Sequence, residues 1–265
     1  MKEEAIKEAS LGPVQGSLKT SYQPLDNVKL IVKHSKPVNE EIRGARSRNI
    51  SKIFIQANEE RFYFPSKNLQ GARAMARHVS VAESAVVKKA IPALAKLADG
   101  IGDRQVRNRG TIGGSVANND PSACYPSAVL ALKATVHTNN RSIAADDFFT
   151  GMFETALEDD EIIESISFSK PTKANYVKFP NPASRYAMVG VFVAQFGDEV
   201  RVAVTGAGEG GVFRHAEMEA ALSSNYNADA LSALEISSEG LISDLHASPE
   251  YRANLIKEMT KRAIV

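Results

Sequence analysis

The sequence predicts a mixed fold of helices and antiparallel strands, on three observations. Apolar residues recur at helical spacing from Val86 through Val87, Ala90, Ile91 and Leu94 to Leu97. Apolar and polar residues alternate over Ile162–Phe168, as in a half-buried strand. Three further runs, Tyr176–Phe179, Met188–Phe196 and Val200–Thr205, read as an antiparallel meander with a Gly197-Asp198 turn. The chain has 265 residues, enough for one large domain or two smaller ones.

Residues 1–70 stand apart. They hold 12 Lys/Arg against 8 Asp/Glu, a balance of +4, which leaves −3 for the rest of a chain whose net charge is +1. Strand-like runs occur at Val28–Val32 and Ile53–Ile55, and no helical period crosses the segment. From Gly71 the pattern sharpens. Ser80 with Glu83 has the spacing of a capping box, which opens a helix that ends at Gly100 or Gly102. Pro126–Leu132 reads as a short buried helix. Ala134–Thr138 reads as a strand turning at Asn139-Asn140, and Ile143–Phe149 as a turn-like piece. Pro171–Asn175 marks a domain boundary. Beyond the meander lie helical stretches at Ala216–Ser223 and Ala228–Leu234, and a final helix from Pro249 to Ala263.

Composition excludes several classes of function. The apolar fraction of 43% and charged fraction of 24% are those of a globular protein. The near-zero net charge argues against nucleic acid and anionic membrane, and Trp is absent. The single cysteine, Cys124, allows no intrachain disulfide and no cysteine-only zinc or iron–sulfur site. No apolar run is long enough to span a membrane, and the N-terminus lacks a secretory core. A cytoplasmic setting is expected.

Residues 101–126 carry the chemistry. Gly110-Thr111-Ile112-Gly113-Gly114 is followed by Ser115, Asn118, Asn119, Asp120 and Ser122, with Arg107 and Arg109 just upstream. Glycines let a ligand approach the backbone, and successive N–H groups in such a turn can form a concavity for phosphate. The same residues also suit an ordinary tight turn, and both readings stay open. A second motif, Gly206-Ala-Gly208-Glu-Gly-Gly211, matches the dinucleotide pattern G-x-G-x-x-G. Only helical, polar sequence follows it, so a structural sheet-to-helix turn is the preferred reading over a nicotinamide site.

From Gly71 to the C-terminus the chain resembles the FAD-binding medium subunit of the molybdenum hydroxylases, of the aerobic carbon monoxide dehydrogenase and xanthine dehydrogenase type. The segments Gly71-Ala72, Arg77-His78, Ile91-Pro-Ala-Leu94 and above all Gly102-Asp-Arg-Gln-Val-Arg-Asn-Arg-Gly-Thr-Ile-Gly-Gly-Ser-Val-Ala-Asn118 carry the resemblance. Asp120-Pro121, Tyr125-Pro126, Phe148-Phe-Thr-Gly-Met152, Val204-Thr-Gly-Ala-Gly208, Glu250-Tyr-Arg252 and Lys261-Arg-Ala263 extend it.

The resemblance implies an α+β fold. An FAD-binding domain of the vanillyl-alcohol-oxidase/PCMH type spans residues 71–172. A C-terminal domain of three strands and helices spans 173–265, and residues 1–70 have no family match. It implies that Thr111, Ile112, Gly113, Gly114 and Ser115 hold the FAD pyrophosphate. Asp120 and Cys124 would approach the ribose and ribityl chain, Ile101 would make a backbone contact, and Lys178 would lie near the flavin ring. It further implies a large partner with the molybdenum cofactor and a small partner with 2Fe–2S clusters, in a dimer of heterotrimers. Electrons would pass from those clusters through FAD to an external acceptor.

One departure matters. The family's second glycine loop, Ala-Gly-Gly-x-Ser/Thr-Leu-Leu-Pro, has no match in residues 1–70, whose only glycines are Gly12, Gly16 and Gly44. A degenerate, flavin-deficient scaffold is therefore the alternative reading. Among single residues, Cys124 reads as a packed thiol, and His78, His137, His215 and His246 as surface or satisfied histidines. Asp146-Asp147 and Glu158–Glu161 read as solvated loops, and Phe148, Phe149, Met152 and Phe153 as core.

Overall fold

Two antiparallel sheets carry the fold of this computed structural model, which describes residues 62–66 and 69–264. The strand-like runs expected at 28–32 and 53–55 lie outside these residues. The first sheet comprises β1 (Phe62–Ser66), β2 (Leu69–Arg73), β3 (Thr135–Thr138), β4 (Ser142–Ala144) and β7 (Ile163–Ser169), in the order β1-β2-β7-β3-β4. Its register explains its sequence. Ala72 pairs with Ile166, Ile166 with Val136, and Val136 with Ile143, so one row of apolar side chains crosses four strands. All four are buried. Period-two alternation sends that row to the core and its neighbours to the other face.

The helical run after β2 is not one helix. It breaks into α1 (His78–Glu83), α2 (Ala85–Ala90) and α3 (Pro92–Asp99). Ser84 rather than Ser80 is the capping side chain, accepting from the Val87 amide at 3.3 Å. Ile91 lies outside the helical region because a residue before proline is pushed out of it, and Pro92 then opens α3. The apolar stripe survives the breaks: Val81, Val87, Ile91, Leu94 and Leu97 are buried together, while Val86 is exposed. Two short helices follow, α4 (Arg104–Arg109), capped by Asp103, and α5 (Ile112–Asn118), capped by Thr111. The expected buried helix is α6 (Tyr125–Ala131), of which every residue is buried. Residues 142–151 resolve into β4, the single turn α7 (Ala145–Phe148) and β5 (Phe149–Gly151), which pairs with β6 (Glu154–Thr155).

The second sheet is the meander with one more strand. β8 (Lys173–Pro180), β9 (Ala187–Phe196) and β10 (Glu199–Gly208) are joined by β11 (Gly211–Arg214), so the sheet has four strands where three were implied. On one face Val189, Val191, Val193, Val200, Val202 and Val204 pack with α8 (Ala216–Ser224) and α9 (Pro249–Ala263). On the other, Phe192, Ala194 and Ala203 join the core that contains α6. Burial on both faces explains the nearly unbroken apolar run of β9. Side chains of both sheets, Ile166 and Phe168 from the first and Phe192, Ala194 and Ala203 from the second, thus share one core layer. The stretch expected as a helix at 228–234 is a single 3-10 turn, Ala228–Leu231. No helix of the described residues is long and apolar enough to cross a membrane.

Candidate functional site

The Gly-Gly segment forms the first turn of α5. Thr111 is extended, and its hydroxyl accepts the Gly114 amide at 3.1 Å. The other amides are also committed: Ile112 donates to Ala76 O, Gly113 to Ala74 O and Ser115 to Thr111 O, at 2.8–3.0 Å. The expected cradle of free backbone N–H groups is therefore not what this turn offers, because the protein itself takes each donor. Gly113 is buried against the chain that follows β2. A Cβ there would stand 2.4 Å from Ala74 Cβ, so this glycine serves packing. Gly114 is exposed, and a Cβ on it would meet only the Thr111 hydroxyl, at 2.9 Å. What the turn leaves for a ligand is the hydroxyl groups of Thr111 and Ser115 beside a bare glycine.

A basic residue missed by the sequence reading stands next to them. Arg77 bridges Thr111 in antiparallel fashion, so the two side chains share a face. Arg77 and Arg109 are exposed and form no ion pair among the described residues. Arg107, expected as an equal of Arg109, is instead committed to structure. It donates to the carbonyls of Ile101 and Gly102, each at 3.0 Å, and lies 3.9 Å from Asp99. No local signal singles out Arg77, since its pairing with Thr111 exists only in the folded chain.

Four other expected residues gather beyond the far end of α5, about 10 Å along the helix axis. Asn119 ends the helix in the left-handed region and is buried, its amide donating to Gly151 O and Glu154 O. Asp120 follows, one carboxylate oxygen accepting the Ser122 amide at 2.8 Å. Thr205 ties this loop to β10 by donating to Pro121 O and Ala123 O. Cys124 is buried, and the Lys178 ammonium lies 3.7 Å from its sulfur. The same ammonium donates to Gly100 O at 2.6 Å and to Arg185 O at 2.7 Å. Its three protons are thus all spent, and Lys178 acts as a brace that fastens β8 to the Gly100–Ile101 turn. Ile101 packs against the core, and its carbonyl is held by Arg107.

Two buried phenols border Cys124. Burial, then the neighbouring Cys124, pushes both Tyr125 and Tyr176 well above the ordinary phenol range. Gly190 leaves room for Tyr176, since a Cβ there would stand 2.6 Å from its hydroxyl. His78 is buried against Tyr125, ring centroids 5.3 Å apart. Burial, with Arg107 second, lowers its pKa to about 4. The expectation of a surface or satisfied histidine fails here, because Nδ1 is buried without a partner.

Other expectations shift as well. Glu161 is no solvated loop residue: Arg141 grips its buried carboxylate at 2.9 and 3.0 Å, and Thr138 donates to it. The Arg141 hydrogen bond, ahead of its other contacts, draws its pKa down to about 2. Asp146 pairs with Arg201 and Arg214. Phe148 is core, whereas Met152 and Phe153 are exposed. The Gly206–Gly211 motif is a β-hairpin turn between β10 and β11 rather than a sheet-to-helix turn. The described residues hold no cluster of metal-ligating side chains.

The donor set fits FAD. Hydroxyl groups at Thr111 and Ser115 and exposed guanidinium groups at Arg77 and Arg109 suit a diphosphate. The Asp120 carboxylate, with acceptor capacity left, suits sugar hydroxyls.

The chain has relatives among known proteins. Residues 71–171 match the family described as FAD binding domain in molybdopterin dehydrogenase. The chain is 35% identical over 205 residues to the nicotine 6-hydroxylase medium subunit of Paenarthrobacter nicotinovorans, covering 72% of each chain. It is 29% identical over 206 residues to the carbon monoxide dehydrogenase medium chain of Hydrogenophaga pseudoflava, again 72% of each. Among solved structures it resembles quinoline 2-oxidoreductase from Pseudomonas putida 86, with a TM-score of 0.67 and 27% identity, over 77% of this chain and 76% of that one.

Proposed function

Because the chain belongs to the FAD-binding medium subunits of the molybdenum hydroxylases, we propose that it carries electrons between a partner's 2Fe–2S clusters and an external acceptor through bound FAD. The observation that carries this reading is the Thr111-capped turn. Its two hydroxyl groups and the paired Arg77 lie inside the segment that matches the family. FAD supplies a redox carrier able to exchange electrons singly or in pairs, and the protein supplies binding and electrostatics.

In this reading Thr111 and Ser115 hold the diphosphate and Arg77 and Arg109 neutralise it. Ile112, Gly113 and Gly114 shape that turn. Asp120 orients the sugar hydroxyls. Ile101, Cys124 and Lys178 build the wall on the ribityl and ring side, with Lys178 keeping the wall rigid. The molybdenum cofactor and iron–sulfur clusters lie on large and small partner chains, in a dimer of heterotrimers. Residues 71–172 and 173–265 act as two domains. The substrate is then chosen on the partner and not here.

Purified chain mixed with FAD is expected to retain flavin after gel filtration, with absorbance near ~450 nm. Flavin-free protein after that treatment would overturn the reading. A second reading rests on one observation: residues 1–70 contain no Gly-Gly pair. It makes the chain a flavin-deficient scaffold that docks the partners, and stoichiometric flavin in the folded protein excludes it.

A further inference from the structure

His78 does nothing in the scheme above, yet it occupies the underside of the Gly110–Thr111 turn. Its amide donates to Gly110 O at 3.0 Å. Its ring touches Gly110 so closely that a Cβ there would stand 2.4 Å from Nε2. Tyr125 backs the ring from α6, and only 5% of the residue is exposed. Gly110 is therefore a glycine because of His78, and Thr111 stands where that contact puts it.

We propose that His78 is a positioning residue for the diphosphate-holding turn, and that its protonation lifts Gly110 and Thr111 and releases FAD. This rests on the reading of Thr111–Ser115 as the diphosphate site.

The surroundings favour the neutral ring. Arg107 on α4 opposes a second positive charge nearby, and burial opposes it more strongly. Tyr125 on α6 stays neutral, its phenol raised by burial. The remaining charged groups of the packed helices face solvent: Glu83 on α1, Lys88 and Lys89 on α2, Lys96 and Asp99 on α3, and Arg104 and Arg109 on α4. Arg77, next in the chain, is exposed and cationic. A proton on His78 is thus a buried charge with no carboxylate to meet it among the described residues, a costly arrangement that opening the turn relieves.

The sign follows. The opened turn binds a proton with the ordinary histidine value of 6.5, the closed turn only at about 4. Between these values the open state holds more protons, so closure weakens as pH falls through this window. Below it both states are protonated and the loss is complete.

The test uses the full chain loaded with FAD at about pH 8, with free flavin read by fluorescence as the pH is lowered to about 4.5. The FAD dissociation constant is expected to rise roughly tenfold or more before far-UV circular dichroism changes. In His78→Phe and His78→Gln the rise should shrink to about twofold or less over the same range. Retention that is flat with pH in the unmutated chain overturns the inference while leaving the flavin reading intact. So does release that coincides with loss of the dichroism signal, or an unchanged acid step in either folded variant. Failure to bind FAD at the starting pH overturns both readings together. Should neither variant fold, release ahead of unfolding in the unmutated chain still decides the matter.

Discussion

Thr111–Ser115 and Gly206–Gly211 are both glycine-rich segments with the look of phosphate loops, and the fold uses them differently. In the second, Gly206 and Gly208 make room for backbone. Gly206 has φ +83, and a Cβ on it would sit 2.3 Å from Ala187 O; Gly208 would strike Gly211 O at 2.7 Å. The segment turns β10 into β11, and the Gly206 amide donates to Pro121 O. In the first, Gly113 does the same kind of packing work against Ala74, but Gly114 is left exposed beside the capping hydroxyl of Thr111, the residue that pairs with the exposed Arg77. A glycine motif alone therefore says little about ligands. Hydroxyls and exposed cations beside an exposed glycine say more.

The comparison can be broken at three points. The largest effect is expected for Gly206→Ala. The left-handed backbone and the collision with Ala187 O together should cost on the order of 3 kcal/mol, read as a lower denaturant midpoint. Unchanged stability would mean that the hairpin glycine is not structural. An intermediate effect is expected for Thr111→Val. Loss of the cap should cost about 1 kcal/mol of stability. Loss of the hydroxyl should also weaken FAD by roughly tenfold, as for a hydrogen bond to a charged group. Thr111→Ser should restore both, and a Val variant with wild-type FAD affinity would remove Thr111 from the site. The smallest effect belongs to Gly210→Ala, which finds nothing within 4 Å. Stability should change by no more than about 0.5 kcal/mol and FAD binding not at all. A large loss of flavin there would make the second motif a ligand loop after all.

Much of the fold was legible because it rests on local patterns. The alternation of Ile162–Phe168 became β7, and the meander became β8–β10. The buried helix after Pro126 and the final helix came out at nearly their expected bounds. The errors have identifiable causes. Pro92 and Ser84 cut one helical stripe into three helices, since periodicity does not register a break that keeps the same face. β11 is four residues long and earns its place only by pairing with β10, which no local run announces. Glu161 looked like part of a solvated acidic turn because Arg141, its partner, lies twenty residues away in sequence.

The site divides the same way. The sequence by itself determined the family resemblance, the position of the glycine turn and the residue types around Cys124, because each is a contiguous string. Only the tertiary structure decided which donors remain available. It spent the amides of Ile112–Ser115, all three protons of Lys178 and one guanidinium nitrogen of Arg107 on the protein's own carbonyls, hydroxyl and thiol groups. It left Arg77 exposed opposite Thr111 and set His78 beneath Gly110. The physical reason is that hydrogen-bonding capacity is finite. Whether a group can bind a ligand depends on whether the fold has already satisfied it, and those partners come from strands and helices remote in sequence.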